Sequence, residues 1–297
     1  MQPFDQVKFK PTTVNLKELK QFDSEDQFMF LAIELLKDIA KLSLYISNIV
    51  EFDNKGNQIK WNKIRAAYGG LLIRISKLQI SFIKTLCEHD MYIATIIMRC
   101  LSDSLITLLF LLVSDSETVE EYIKHSLNTE KELLDKIQQN AKGRGQDTPI
   151  ELRMRRSIEK SFKASEVDIN TFRVIGKKEF KAWKPSPYDR ANSIKMSEEY
   201  FVLVSLPSHS IHGNWQDLLN NHLEYYPDGF LPNLEKSRPR PQPVVAMGIL
   251  SIKVNTKYLE KFVPNSNDKN TILTCLKDLK ESLIALDNQH ELYLQSR

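Results

Sequence analysis

Arg99 and Asp103 lie inside the most hydrophobic stretch of the chain, which reads MYIATIIMRCLSDSLITLLFLLV from Met91 to Val113. They are four residues apart, so on a helix they share a face and can form an ion pair. A single buried charge would be costly, and pairing is therefore expected. Two interpretations stay open: the pair fixes the register of a core helix, or it presents a charge to a ligand in a central cavity.

A second group of reactive side chains lies in the segment YFVLVSLPSHSIHGNWQDL, residues 200–218. If this segment is helical, Ser205, His209 and His212 share one face. A histidine beside an arginine or aspartate can act as a general acid or base. A metal site is less favoured, because neither an HExxH motif nor clustered carboxylates accompany the histidines. The alternative is that both histidines are structural, with their hydrogen bonds satisfied inside the fold.

A basic stretch runs from Lys142 to Lys184, with twelve Lys or Arg and six Asp or Glu, a surplus of six. Aromatic residues interleave with its later cations, a pattern that can contact phosphates while stacking on bases. The candidate nucleic-acid-binding residues are Arg153, Arg155, Arg156, Lys177, Lys178 and Lys181. The same pattern is typical of a solvated helix face whose aromatic residues pack inward.

The composition bounds the class of protein. The chain has 297 residues, 42% hydrophobic and 27% charged, with a formal net charge of +3. This apolar fraction excludes general disorder and is enough for a buried core. GxGxxG, GxxxxGK[ST], GxSxG and zinc-ribbon motifs are absent, so nucleotide-fold and serine-hydrolase functions have no support, and no cofactor is expected. Three dispersed cysteines and an N-terminus without a secretory apolar region favour a cytoplasmic protein.

Proline placement predicts the organisation of the fold. No proline lies between Pro11 and Pro149, so the first half can hold long helices. Ser24 with Gln27 forms a capping-box pattern at the start of the first of them. Further helices are predicted over about 61–86, 91–113 and 117–139, from Pro149, from Ser197 into 206–213, and over 244–262 and 268–294. No alternating strand pattern is found, and residues 226–243 are predicted to be a proline-rich, ordered loop without regular structure.

The predicted fold class is therefore all-α, an irregular multi-helix bundle with that long loop before its last helix pair. We expect one helical domain over 1–297, with a subdivision into 1–145 and 146–297 as the alternative. The 91–113 stretch is long enough to cross a bilayer, but its central charges predict a core helix of a soluble protein, and no membrane partner is expected.

Two blocks carry a resemblance to a known family: MRCLSDSLITLLFLL (98–112) and WKPSPYDRANSIKMSEEYFVLVSLPSHSIHGNW (183–215). They resemble the uncharacterised bacterial family called domain of unknown function 5677. That family shows an Arg-x-Leu-x-x-Glu-like block in an apolar helix. A Trp, an Arg-rich short helix, a Tyr-led helix and a Ser-x-x-x-His ending beside a small residue follow it. The matching positions here are Arg99, Leu101, Asp103, Trp183, Arg190, Tyr200, Ser205 and either His209 or His212.

The resemblance implies a link to helical RNA-related domains of prokaryotic toxin and phage-defence systems. Ribonucleases of that group carry an arginine, then four to six intervening residues and a histidine, and no arginine here has that spacing. The leading hypothesis is a defence or toxin-like protein acting on RNA, with Arg99, Asp103, Ser205, His209 and His212 as the catalytic residues. A histidine would act as acid or base on a phosphodiester while Arg99 stabilises negative charge.

Two other functions stay open. One is a non-catalytic interaction module, binding a protein partner or a second copy, whose polar core residues are structural and whose basic 142–184 region contacts the partner. The other is a small-molecule sensor that uses the central pocket. The solvent exposure of these side chains distinguishes the enzymatic function from the others, because catalysis requires the arginine and histidine side chains to converge on a solvent-reachable cavity.

Overall fold

The fold is that of a computed structural model, in which residues 9–297 are described. The α-helices in chain order are α1 (Leu16–Leu19), α2 (Glu25–Ser47), α3 (Lys63–Cys87), α4 (Met91–Val113), α5 (Ser116–Arg144), α6 (Pro149–Ala164), α7 (Pro187–Ser193), α8 (Ser197–Tyr200), α9 (Ser208–His212), α10 (Trp215–Asn221), α11 (Pro241–Phe262) and α12 (Asn267–Gln295). A 3₁₀ turn covers Lys177–Glu179 and a π-helical turn covers Phe201–Ser205. Two short strands, β1 (Leu223–Tyr226) and β2 (Gly229–Pro232), form an antiparallel hairpin.

Five long helices build the main core: α2, α3 and α4 pack side by side, and α11 and α12 close the bundle against α2 and α4. The apolar residues that recur at helical spacing along α2 are buried there. The predicted all-α bundle is confirmed, and a proline-rich stretch precedes its last helix pair. A second, smaller cluster joins α5 to α6 through Leu127, Leu134, Ile137, Ile158 and Phe162.

Local sequence signals set several helix ends: α2 and α6 begin where predicted, whereas α5 runs to Arg144, beyond its predicted end near 139. The Gln27 side chain accepts a hydrogen bond from the backbone N–H of Ser24 at 3.3 Å, which is half of the capping box. Gly145 ends α5 with φ +81°, a left-handed conformation that glycine adopts without a steric penalty. Thr148 and Glu151 form a second capping box around Pro149 at the first position of α6.

The apolar helix α4 has the bounds that its sequence predicts, Met91–Val113. Within the described residues it is the one helix long and apolar enough to cross a membrane, and 67% of its most apolar window is buried inside the bundle. That burial is compatible with the core helix of a soluble protein.

Residues 226–243 differ from the prediction at both ends. The β-hairpin occupies the first part, and α11 already begins at Pro241. Pro227 and Asp228 form a two-residue turn before Gly229, and such residues favour tight turns. Each strand has only four residues, too few for an alternating pattern to stand out.

Candidate functional site

Asp103 pairs with a residue from a distant part of the chain rather than with Arg99. Its Oδ1 lies 3.2 Å from a terminal guanidinium nitrogen of Arg190, on α7. The predicted Arg99–Asp103 ion pair is therefore wrong for the structure described here, because each of the two side chains has another partner. Arg190 is 5% exposed, and its second terminal nitrogen donates to the carbonyl oxygens of Lys184 and Pro185.

Arg190 also stacks on an aromatic residue of the preceding loop. Its guanidinium carbon lies 4.7 Å from the centre of the buried Trp183 ring. Burial lowers the pKa of Arg190 from its ordinary value, and Asp103 opposes that change. Tyr122 and His125, both on α5, contact the same indole ring. Burial, with Arg190 nearby, lowers the pKa of His125, which favours the neutral imidazole.

Glu121 on α5 holds the loop that carries Trp183. Its carboxylate accepts backbone hydrogen bonds from Lys181, Ala182 and Trp183 at 3.2, 2.8 and 2.7 Å. Burial disfavours the charged form of Glu121, but the three N–H donors outweigh it and lower the pKa. The carboxylate thus fixes the loop so that the indole lies under Arg190.

Arg99 contacts a serine of α9. Its Nε donates a 2.9 Å hydrogen bond to Oγ of Ser208, and that hydroxyl donates to the carbonyl oxygen of Val204 at 2.5 Å. Arg99 is half-buried, so the bond is shielded from water on one side. The Asp103–Arg190 and Arg99–Ser208 contacts, one turn apart on α4, therefore tie two separate segments, α7 and α9, to the core helix.

The other predicted catalytic residues do not join this contact. Ser205 is half-buried in the π-helical turn, and His209 contacts the side-chain amide of Asn214 through Nδ1. His212 is exposed and is the last residue of α9, before Gly213 with φ +55°. It lies one helical turn beyond Ser208, on the side of α9 that faces Arg99 by helical spacing.

The break in the predicted 197–213 helix explains why Ser208 replaces Ser205. Pro207 has no backbone N–H, and the preceding turn closes with a bond from Leu206 N–H to the carbonyl oxygen of Phe201, five residues back. This extra residue in the turn rotates the residues that follow it about the helix axis, so that Ser208 rather than Ser205 faces α4. A sequence signal for Ser208 did exist: Ser208, His212 and Gly213 have the Ser-x-x-x-His spacing with a small residue after the histidine.

A family model described as "Family of unknown function (DUF5677)" matches residues 65–229, more than half of the chain. The chain belongs to this family. No curated protein and no solved structure matches it. The DUF5677 segment contains the Asp103–Arg190 and Arg99–Ser208 contacts and the exposed His212, whereas α2, α11 and α12 lie outside it.

A cavity of about 1030 Å³ lies between the DUF5677 segment and the last two helices. Its wall combines His209 and Asp217 from the family segment with Gln242, Asp287 and Glu291 from α11 and α12. Arg99, Asp103, Ser205 and His212 are not among its lining residues. No group of three or more His, Cys, Asp or Glu close enough to hold a metal ion occurs among residues 9–297.

The predicted nucleic-acid-binding residues lie on two elements, α6 and the loop after it. Arg155 is engaged by Asp147 at 2.6 Å, which neutralises it locally. Arg153 and Arg156 are exposed on α6, and Lys177, Lys178 and Lys181 are exposed on the loop. Five of the six candidates therefore have cations that reach solvent.

Proposed function

We propose that this DUF5677 protein is a non-catalytic interaction module that self-associates through its 201–234 surface, and that it works in the cytoplasm. One observation carries the proposal. Of the twenty-six large hydrophobic residues exposed among the described residues, eleven fall between 201 and 234. Exposed apolar side chains concentrated in one segment favour a protein interface.

The β-hairpin is the centre of that surface. The ring of Phe230 packs between Trp215 and Tyr225, at 5.5 and 5.4 Å between ring centres, yet all three are at least 45% exposed. Leu234, just beyond β2, is 94% exposed. Aromatic residues of this kind are enriched at the centres of protein interfaces.

A second copy of the chain is the partner that the hairpin fits best. A two-stranded hairpin is marginal alone and gains stability when further strands are added to its edge. Two hairpins that pair across a two-fold axis would form a four-stranded sheet and cover the aromatic side chains of both copies. The Arg99–Ser208 contact then serves to hold the presenting segment on the bundle, and the Asp103–Arg190 contact holds the preceding helix α7.

Sedimentation of the purified chain tests this proposal. The wild type is expected at twice its 34.5 kDa mass, and Tyr225→Ser with Phe230→Ser at the monomer mass with the helical circular dichroism of the wild type. Leu292→Ser removes an equally exposed apolar side chain elsewhere and should leave the dimer intact. A wild type that remains monomeric at tens of micromolar would refute the proposal.

The second candidate function is RNA-directed phosphodiester chemistry in a defence or toxin-like system. The exposed His212 one turn from the serine that holds Arg99 favours it, because such a histidine can exchange protons while the guanidinium stabilises negative charge. Expression toxicity and cleavage of total cellular RNA are compared for the wild type, His212→Ala and the neighbouring Ile211→Ala. Loss of both effects in His212→Ala alone would support this function, and their absence in the wild type would exclude it.

A further inference from the structure

The cavity between the DUF5677 segment and α11–α12 has an acidic polar wall. Asp217, Asp287 and Glu291 line it, and none of its lining residues is a lysine or arginine. The described chain as a whole is basic, so this is a local reversal of charge. A cavity of about 1030 Å³ is in the size range of small-molecule sites.

Asp217 provides a second observation, independent of the acidic cluster. The residue is 2% exposed, and its Oδ2 has no hydrogen-bond donor. The nearest cationic group is Nε2 of His222 at 3.7 Å, which is charged only when protonated. Its Oδ1 accepts one bond, from Asn221 at 2.9 Å. Buried carboxylate oxygens are almost always hydrogen-bonded, so a free one in a cavity wall marks a place for a donor.

The residues that α11 and α12 contribute to the wall have the same preference for a donor. The side-chain oxygen of Gln242 is buried without a hydrogen-bond partner, and its nitrogen donates to Glu291 at 3.4 Å. Burial, followed by the neighbouring Glu291, raises the pKa of Asp287. A positive group in the cavity would favour the charged form of this carboxyl.

Apolar side chains also line the cavity. Leu203 comes from the π-helical turn, and Val245 and Ile249 come from α11. Such a lining suits a hydrocarbon chain that carries a charged group at each end, because the methylenes leave water while the ends meet carboxylates.

We propose that this cavity binds an aliphatic diamine or polyamine, with one ammonium group on Asp217 and another on Asp287 and Glu291. An ammonium has three donors and no acceptor, which matches a wall of unsatisfied oxygens. An anionic ligand such as a phosphate would meet three carboxylates and would be repelled. The 201–234 segment contributes Val202, Leu206 and Asp217 to this cavity, whereas Arg99 does not line it. Calorimetry measures amine binding and sedimentation measures self-association, so the failure of one proposal is distinguishable from the failure of the other.

Calorimetric titration of the full chain with 1,5-diaminopentane and spermidine tests the proposal. 1,5-Pentanediol and glutarate have the same chain length with neutral and anionic ends. The amines are expected to bind and to raise the melting temperature, and the diol and the diacid are expected to do neither. No heat with either amine, or binding of glutarate as tight as that of the diamine, would overturn the proposal.

Charge-removing variants locate the site. Asp287→Asn with Glu291→Gln should weaken diamine binding several-fold, whereas Glu281→Gln, exposed on the same helix, should not. Asp217→Asn should weaken it by about tenfold or more, because this carboxylate is buried. The α12 variants decide the outcome if Asp217→Asn does not fold. An equal loss in Glu281→Gln would mean that only the general surface charge attracts the amine.

Discussion

Arg99 and Ser208 are joined side chain to side chain by a 2.9 Å hydrogen bond, although 109 positions separate them in the chain. The bond fastens the short helix α9 to the core helix α4. It lies inside the DUF5677 segment, and it places the exposed His212 one helical turn from the guanidinium contact. The bond is thus a structural clamp in the interaction-module proposal and a part of the site in the RNA proposal.

Ser208→Ala should lower the free energy of unfolding by about 1–2 kcal/mol, because the half-buried Arg99 loses its acceptor. Ser210→Ala on the same short helix is the control and should change stability by less than about 0.5 kcal/mol. Urea denaturation measures both. A double-mutant cycle with Arg99→Ala separates the bond itself from other losses. Additive losses in that cycle would show that the two side chains do not interact.

Arg190→Lys should destabilise the fold by about 2–3 kcal/mol although it keeps the charge. A lysine ammonium cannot stack on Trp183 and also reach two carbonyl oxygens and Asp103, as the planar guanidinium does. Arg156→Lys, exposed on α6, is the matched control and should be neutral. Denaturation followed by tryptophan fluorescence measures the loss. Equal stability of Arg190→Lys and the wild type would show that the guanidinium geometry is unimportant.

The sequence predicts the elements of this fold much better than the contacts between them. The bounds of α4 follow from one apolar run, and the start of α2 and the end of α5 follow from Ser24 and Gly145. These signals act within a few residues, and so they can be read without knowing the tertiary structure.

The candidate site depends on long-range relations that such signals do not contain. Helical spacing alone paired Asp103 with Arg99, but the folded chain brings Arg190 to Asp103 from 87 positions away. A π-helical turn of five residues before Pro207 changed which serine faces α4. The spacing rule failed at both places because a distant partner or an irregular turn replaced the regular helix that it assumes.

Gly69 and Gly70 provide a matched pair for testing one close contact in the core. A Cβ atom on Gly69 would overlap the ring of Trp61, whereas a Cβ on Gly70 would meet no atom within 4 Å. Gly69→Ala should therefore cost about 1–3 kcal/mol through overpacking. Gly70→Ala should stabilise α3 by up to about 1 kcal/mol, because alanine is the better helix former. Thermal and urea unfolding measure both, and two changes of the same sign would contradict the Trp61 contact.

Glu121→Gln should remove a pH-dependent part of the stability. In the fold, the three backbone donors hold the pKa of Glu121 below its ordinary value of 4.5. A carboxyl with a lowered pKa stabilises the fold fully above that ordinary value, and the contribution disappears as the pH falls through the lower, folded pKa. The wild type should therefore be more stable than Glu121→Gln by a constant free energy of unfolding from about pH 5 to about pH 7.

Below about pH 4.5 the difference between the two proteins should shrink, because protonation removes the charge from the wild-type acceptor as well. Denaturation by urea at a series of pH values from neutral to acid measures the difference directly. Glu132→Gln, exposed on the same helix, is the control and should give no such change. If Glu121→Gln and Glu132→Gln behave alike at every pH, the loop that carries Trp183 is held by its neighbours rather than by the Glu121 carboxylate.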